Sequence, residues 1–208
     1  MTRAGALHDG LKGVLGEVSW QRLPRAVQTR FAHPAVAVDY VGSFDIVRAS
    51  TLGRLLARFC RLIGTPVVPK TGSHVPAVVH VSPSGDGVAW NREYRWPDSA
   101  ASLVCSTKIV GTDGGLIEKL PARLCMPLEA YERNGVLHFV SRGYCFELGS
   151  RSTGKTLKIW LPSWVSPGTT HVEHEDEDNG WFRFTMTVTH PLFGEVFHQT
   201  GRFRAAGG

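Results

Sequence analysis

Four large side chains at every second position of one short run, Trp90, Arg92, Tyr94 and Trp96, have the chemistry to hold and polarise a small molecule. Alternate residues of a β-strand share a face, so the arginine stands inside an aromatic row. A guanidinium keeps its charge at any ordinary pH and is costly to desolvate alone, so it needs an acidic partner, a water-filled pocket or an anionic ligand. Two roles stay open. Arg92 either clamps a carboxylate or polarises a carbonyl between apolar walls, or it forms a structural ion pair with Glu118 or Glu147. Trp96 precedes Pro97 and stands where the strand is already ending.

Proton-moving candidates are few. Glu118, in Leu116-Ile117-Glu118-Lys119-Leu120, is expected to point inward, either with a raised pKa suited to general acid or base work or held ionised by Arg92. His190 and His198 each extend a partly apolar strand face, and histidine is the side chain most readily tuned near neutral pH. A merely hydrogen-bonded histidine is the alternative for both. His138 and His171 lie near turns or among polar residues and rank lower. The run Glu173-His174-Glu175-Asp176-Glu177-Asp178 offers carboxylates for a hard cation, but neighbouring strand residues point to opposite faces and the run leads into a hairpin tip. A solvated acidic turn and no metal site are expected, with Glu173 alone reaching inward.

Other motifs fail on context. Gly149-Ser150-Arg151-Ser152-Thr153-Gly154-Lys155-Thr156 has the spacing of a phosphate loop, yet the strand Leu157-Lys158-Ile159-Trp160 follows it where a helix N-terminus would be needed. No G-x-G-x-x-G, nucleophile elbow or H-E-x-x-H is present. Cys60, Cys105, Cys125 and Cys145 are too widely spaced for a zinc motif and are expected to be free, mostly buried thiols. No cofactor is expected.

The elements that must position these residues are mostly strands. Residues 1 to 20 are Gly-rich and weakly patterned, an expected flexible arm with at most a short helix. A short helix is expected from Leu23 to Phe31, with Pro24 in its first turn and His33-Pro34 stopping it. A strand with a bulge or bend at Gly42 follows over 36–47. Leu52, Leu55, Leu56, Phe59, Cys60, Leu62 and Ile63 then recur at helical spacing, and Gly64 and Pro66 end that amphipathic helix. From Val75 onward ten strands are expected, at 76–82, 87–96, 102–110, 115–120, 123–131, 136–147, 156–161, 168–175, 180–190 and 194–204. Asn134-Gly135 and Asn179-Gly180 are hairpin dipeptides. So many short antiparallel strands imply an antiparallel β-barrel or strongly curved half-barrel, lipocalin-like, with one amphipathic helix packed on it. The barrel is expected to occupy 21–204, with 205–208 a tail.

Composition narrows the class. A chain of 208 residues, 42% hydrophobic and without a composition shift, suits one domain. No apolar run approaches the roughly 20 residues of a membrane span, and the N-terminus lacks a signal-peptide core, so a cytoplasmic protein without membrane insertion is expected. The net charge of +5 is scattered, and Arg54, Arg58 and Arg61 fall on the outer face of the amphipathic helix, so no nucleic-acid partner is expected.

Taken together, Trp90-x-Arg92-x-Tyr94, Glu118 after a Gly-Gly turn, Leu161-Pro162 after the Gly149 loop, and the ending Pro191-x-x-Gly194-x-x-x-His198-x-x-Gly201-x-Phe203 resemble the bacterial domain of unknown function 4166 family, from about Leu23 to Phe203. Gly42, Arg48 and Gly64-x-Pro66 fit the same pattern. In some members a similar domain is joined to a reductase-like dinucleotide-binding domain. The resemblance therefore implies a substrate-handling or partner domain. Where many relatives carry tyrosine in the ending motif, this chain has His198.

These features lead to an expected cofactor-independent enzyme of cyclase or isomerase type, acting on a hydrophobic or aromatic biosynthetic intermediate. Arg92 would polarise an oxygen and Glu118 or His198 would move a proton. Trp90, Tyr94, Trp96 and Trp160 would shape the cavity, with Glu173 and His190 as further binding residues. The alternative is a non-catalytic carrier or an accessory module for a partner reductase, and a homodimer is a further possible association.

Overall fold

The computed structural model describes residues 10–32, 36–62, 68, 70–85, 87–149 and 156–207. The helix stops expected at His33-Pro34 and at Gly64 and Pro66, most of the phosphate-loop-like segment and the Cys60 side chain lie outside the described residues. Twelve strands form one sheet: β1 (Val38–Ala49), β2 (Gly72–Ser84), β3 (Gly87–Tyr94), β4 (Ser102–Val110), β5 (Leu116–Lys119), β6 (Leu124–Arg133), β7 (Val136–Ser141), β8 (Cys145–Gly149), β9 (Thr156–Trp160), β10 (Thr169–Asp176), β11 (Trp181–His190) and β12 (Gly194–Ala205). Ten of them close a ring in the order β5-β4-β3-β2-β1-β12-β11-β10-β7-β6, with β6 pairing back onto β5. The expected barrel is therefore a closed one, antiparallel throughout. The segment expected as one strand over 136–147 is two, because Gly143 turns the chain at φ 110° and sends β8 and β9 away as a hairpin branching from β6.

Alternation decides which face is buried. On β11, Phe182, Phe184 and Val188 are buried while Arg183, Thr185, Thr187 and Thr189 face outward. Phe44 of β1 stacks on Tyr94 of β3 with ring centroids 4.8 Å apart and meets Phe184 and Phe203 edge-on. Its complete burial contributes about 3 kcal/mol. The tight turns expected at Asn134-Gly135 and Asn179-Gly180 have left-handed residues at both positions. The irregularity of β1 falls between Phe44 and Ile46, not at Gly42. Gly42 instead allows a close approach of β1 and β12, since a β-carbon there would lie 1.9 Å from the Arg202 carbonyl oxygen.

Four α-helices accompany the sheet among the described residues, the expected short helix and amphipathic helix and two more. Much of the segment expected as a loose arm forms α1 (Gly10–Leu15) and α2 (Glu17–Arg22), whose Leu11 and Trp20 are buried in the core. With α3 (Arg25–Phe31) they lie at one end of the barrel, where Phe31 enters and stacks on Trp90 at 5.3 Å. The expected amphipathic helix, α4 (Thr51–Leu62), lies against β1 and β12 near the opposite end. Weak local patterning hid α1 and α2: six-residue helices are marginal alone and exist here through the core contacts of Leu11 and Trp20. No helix among the described residues is long and apolar enough to cross a membrane.

Candidate functional site

A cavity of about 80 Å³ lies inside the barrel toward the α4 end. On the scale of 10 to 15 Å³ per water, that is room for roughly five to eight water-sized groups. Its walls are mainly apolar, and Arg92, Ser106, Lys108, Glu118 and Gln199 add polar groups. Strand alternation places these groups. Arg92 and Tyr94 project inward from β3; Val104, Ser106 and Lys108 from β4; Glu118 from β5; and Phe197 and Gln199 from β12.

The charges form a cluster. Lys108 Nζ lies 3.1 Å from Glu118 Oε1, with the two side chains only 12% and 8% exposed. Burial favours the neutral form of the Glu118 acid. The Lys108 ammonium and the Arg92 guanidinium, with hydrogen bonds from Ser106 and Lys108, outweigh it and hold the carboxyl below its usual range. Burial pushes Lys108 down; Glu118 opposes that shift and Arg92 adds to it. Arg92 itself has no ion-pair partner among the described residues. Its Nη1 donates a long bond of 3.5 Å to Ser106 Oγ, and its guanidinium stands 5.6 Å from the Phe184 ring centre. Tyr94 donates its hydroxyl proton to Gln199 Oε1 at 2.9 Å, a fully buried bond that fixes one wall. Burial raises the Tyr94 pKa, which leaves that hydroxyl neutral.

The structure thus brings Arg92, Glu118 and Tyr94 together and sends the other candidates elsewhere. Trp90 is inside the barrel but faces a second space of about 60 Å³ toward α1 and α3, which Lys108 also lines. Trp96 lies beyond the end of β3, where its indole donates to Ser102 Oγ at 3.0 Å and its ring stacks on Tyr94. Trp160 is not a cavity wall: it is 54% exposed on the β8–β9 hairpin. His198 is not a cavity residue either; it faces outward from β12, with its Nδ1 3.0 Å from Thr187 Oγ1. His190 is buried but serves a turn, accepting the Leu192 N–H on Nδ1 and packing on Phe193. Glu173 does not reach inward: on β10 the inward residues are Thr170, Val172 and His174.

Several polar groups of the barrel interior escaped the sequence. Lys108 alternates with Val104 and Ser106, so the period-two signal was present, but inward lysines are rare enough that a solvated one is the default. Gln199 shares its face with Phe197 and Phe203, a clearer inward signal than any carried by His198. His174 lies among Phe31, Phe139 and Phe184, and burial first, then Arg30, Lys108 and Arg92, hold it neutral to well below its usual range. Arg30 of α3 lies 3.6 Å from the Phe182 ring centre and 4.0 Å from Asp176, and burial lowers its pKa to about 10. Among the thiols, Cys105 is half-buried, while Cys125 and Cys145 are buried opposite each other across β6 and β8. Burial, aided by Glu147, pushes the Cys125 thiol up to about 12, which removes it as a nucleophile.

No curated protein and no solved structure matches the chain. One family model does match, over residues 23–203, a span that includes every group lining the cavity. The chain therefore belongs to the family described as domain of unknown function (DUF4166).

Proposed function

We propose that the barrel binds a small, largely apolar molecule carrying an anionic or carbonyl oxygen, and that Glu118 moves a proton on it without a cofactor, as in an isomerase or cyclase. The observation that carries this reading is the charge imbalance of the cavity. Arg92 and Lys108 face a single carboxylate, so a ligand with one negative or developing negative oxygen completes the cluster. Arg92 orients that oxygen and stabilises the charge that develops on it when a neighbouring C–H is deprotonated. Glu118, held ionised, accepts the proton, and Lys108 beside it returns one to the product carbon or oxygen. The apolar walls exclude water from the intermediate.

A second reading, a carrier or accessory module for a reductase, draws support from one observation. Glu118 is already neutralised by Lys108, and His198, the other acid–base candidate, is outside the barrel. Ligand-observed NMR with small aromatic and aliphatic carboxylates, beside their methyl esters and ketones, separates the readings. Saturable carboxylate binding, weakened at least about tenfold by Arg92→Gln, is expected. Deuterium uptake from heavy water next to the ketone carbonyl, lost in Glu118→Asp with binding retained, marks proton transfer. Binding without uptake favours the carrier, and carboxylate binding that Arg92→Gln leaves untouched would sink both.

A further inference from the structure

Strands β7 and β10 pair antiparallel with His138 directly opposite Glu173, and His171 stands two residues before Glu173 on the same outer face. Three donor atoms converge there. His138 Nδ1 lies 3.1 Å from His171 Nε2 and 3.3 Å from Glu173 Oε1, and His171 Nε2 lies 3.9 Å from the same oxygen. A tetrahedral zinc with bonds of about 2.0 to 2.1 Å places its ligand atoms about 3.3 to 3.4 Å apart, the bond length times 1.63. The two imidazoles and the carboxylate therefore already stand close to the separations of three corners of a coordination tetrahedron.

We propose that His138, His171 and Glu173 bind a divalent transition metal, with zinc as the best fit and the fourth position open to water. Two imidazoles with one carboxylate match the borderline character of zinc and exclude calcium or magnesium, which prefer all-oxygen shells. The first ligand is positioned by packing. The His138 side chain is 10% exposed and stacks on Tyr131, directly opposite it on β6, with centroids 4.8 Å apart and planes 13° from parallel. His171 and Glu173 are 38% and 39% exposed, so the ion has a path from solvent. The acidic run around Glu173 is not the site; the carboxylate acquires its partners across the sheet and from its own outer face.

Calorimetric titration of zinc chloride into the chelator-treated full chain tests this. One zinc per chain is expected, with the dissociation constant raised at least about tenfold by each of His138→Ala, His171→Ala and Glu173→Gln. His171 and Glu173 are exposed enough for their variants to fold, so those two carry the test if His138→Ala does not. Cobalt binding should show tetrahedral ligand-field bands without a thiolate charge-transfer band. Absence of stoichiometric zinc binding, or equal affinity in His171→Ala and Glu173→Gln, would overturn the site, as would a thiolate signature. The site lies outside the barrel, so its failure leaves the cavity reading standing.

Discussion

Removing either member of the Lys108–Glu118 pair should destabilise the protein, and the two losses should differ in size and in their response to pH. At 3.1 Å and an effective dielectric of about 20, the attraction is about 5 kcal/mol. Desolvation offsets much of that, so the pair as a whole adds little, but stripping one partner leaves a buried charge and costs about 3 to 5 kcal/mol. Glu118→Gln leaves Lys108 and Arg92 facing each other without a counter-charge, whereas Lys108→Met leaves Glu118 with Arg92 still near. Glu118→Gln should therefore cost more, near the top of that range, and the double variant less than either single. In the native protein the Glu118 pKa is depressed, so its contribution is present above the unfolded carboxylate pKa and lost as pH falls through the folded one. In Lys108→Met, protonating Glu118 relieves the penalty, so the deficit narrows in acid. In Glu118→Gln, burial and Arg92 depress the Lys108 pKa, the unfolded chain binds more protons, and stability recovers as pH rises toward the unfolded lysine value. Urea unfolding followed by tryptophan fluorescence, from pH 4 to 10, measures both slopes. Single losses under about 1 kcal/mol, additive losses in the double variant, or parallel pH slopes would refute the buried cluster.

Two further outcomes follow from the packing. Gly42→Ala should cost about 3 kcal/mol, because the new β-carbon meets the Arg202 carbonyl oxygen with no flexible group to yield, while Gly149→Ala, open to space, stays within about 0.5 kcal/mol; equal melting temperatures for the two would contradict the close approach. His174 is neutral in the folded protein and protonates on unfolding, so about 1.4 kcal/mol of stability should disappear between pH 7.5 and 5.5, and His174→Phe should flatten that slope.

The barrel was legible in the chain because each ring strand carries its own record of burial. Phe182, Phe184 and Val188 alternate with arginine and threonines, and Asn-Gly pairs mark the hairpin turns. Arg92 and Tyr94 were legible for the same reason, since an aromatic–arginine alternation specifies one face. The apolar neighbours of Glu118 mark it as inward, but nothing in its own strand names Lys108 as its ion-pair partner. Lys108 is ten residues upstream of Glu118, and only the β4–β5 register makes them direct partners. His198 and Trp160 misled through residue type: a titratable ring and a large indole suggest a site, while strand parity puts the first outside and the Gly143 turn carries the second away. The His138, His171 and Glu173 cluster was invisible because 33 residues separate its two histidines, and nothing in a single strand reports a neighbour across the sheet.

Closure of the ring depends on β1 pairing with β12, which joins Tyr40 to Ala205 and Ala49 to Phe197. Contacts between such distant parts of a chain are slow to form, because the loop entropy is lost before the contact compensates it. During synthesis β1 emerges well before β12 and cannot complete its hydrogen bonds on that side until β12 has left the ribosome. Until then its open edge must stay unpaired in a chain rich in other strands. Folding is therefore expected in the millisecond-to-second range of large β-topologies, with the final strand acting as the latch.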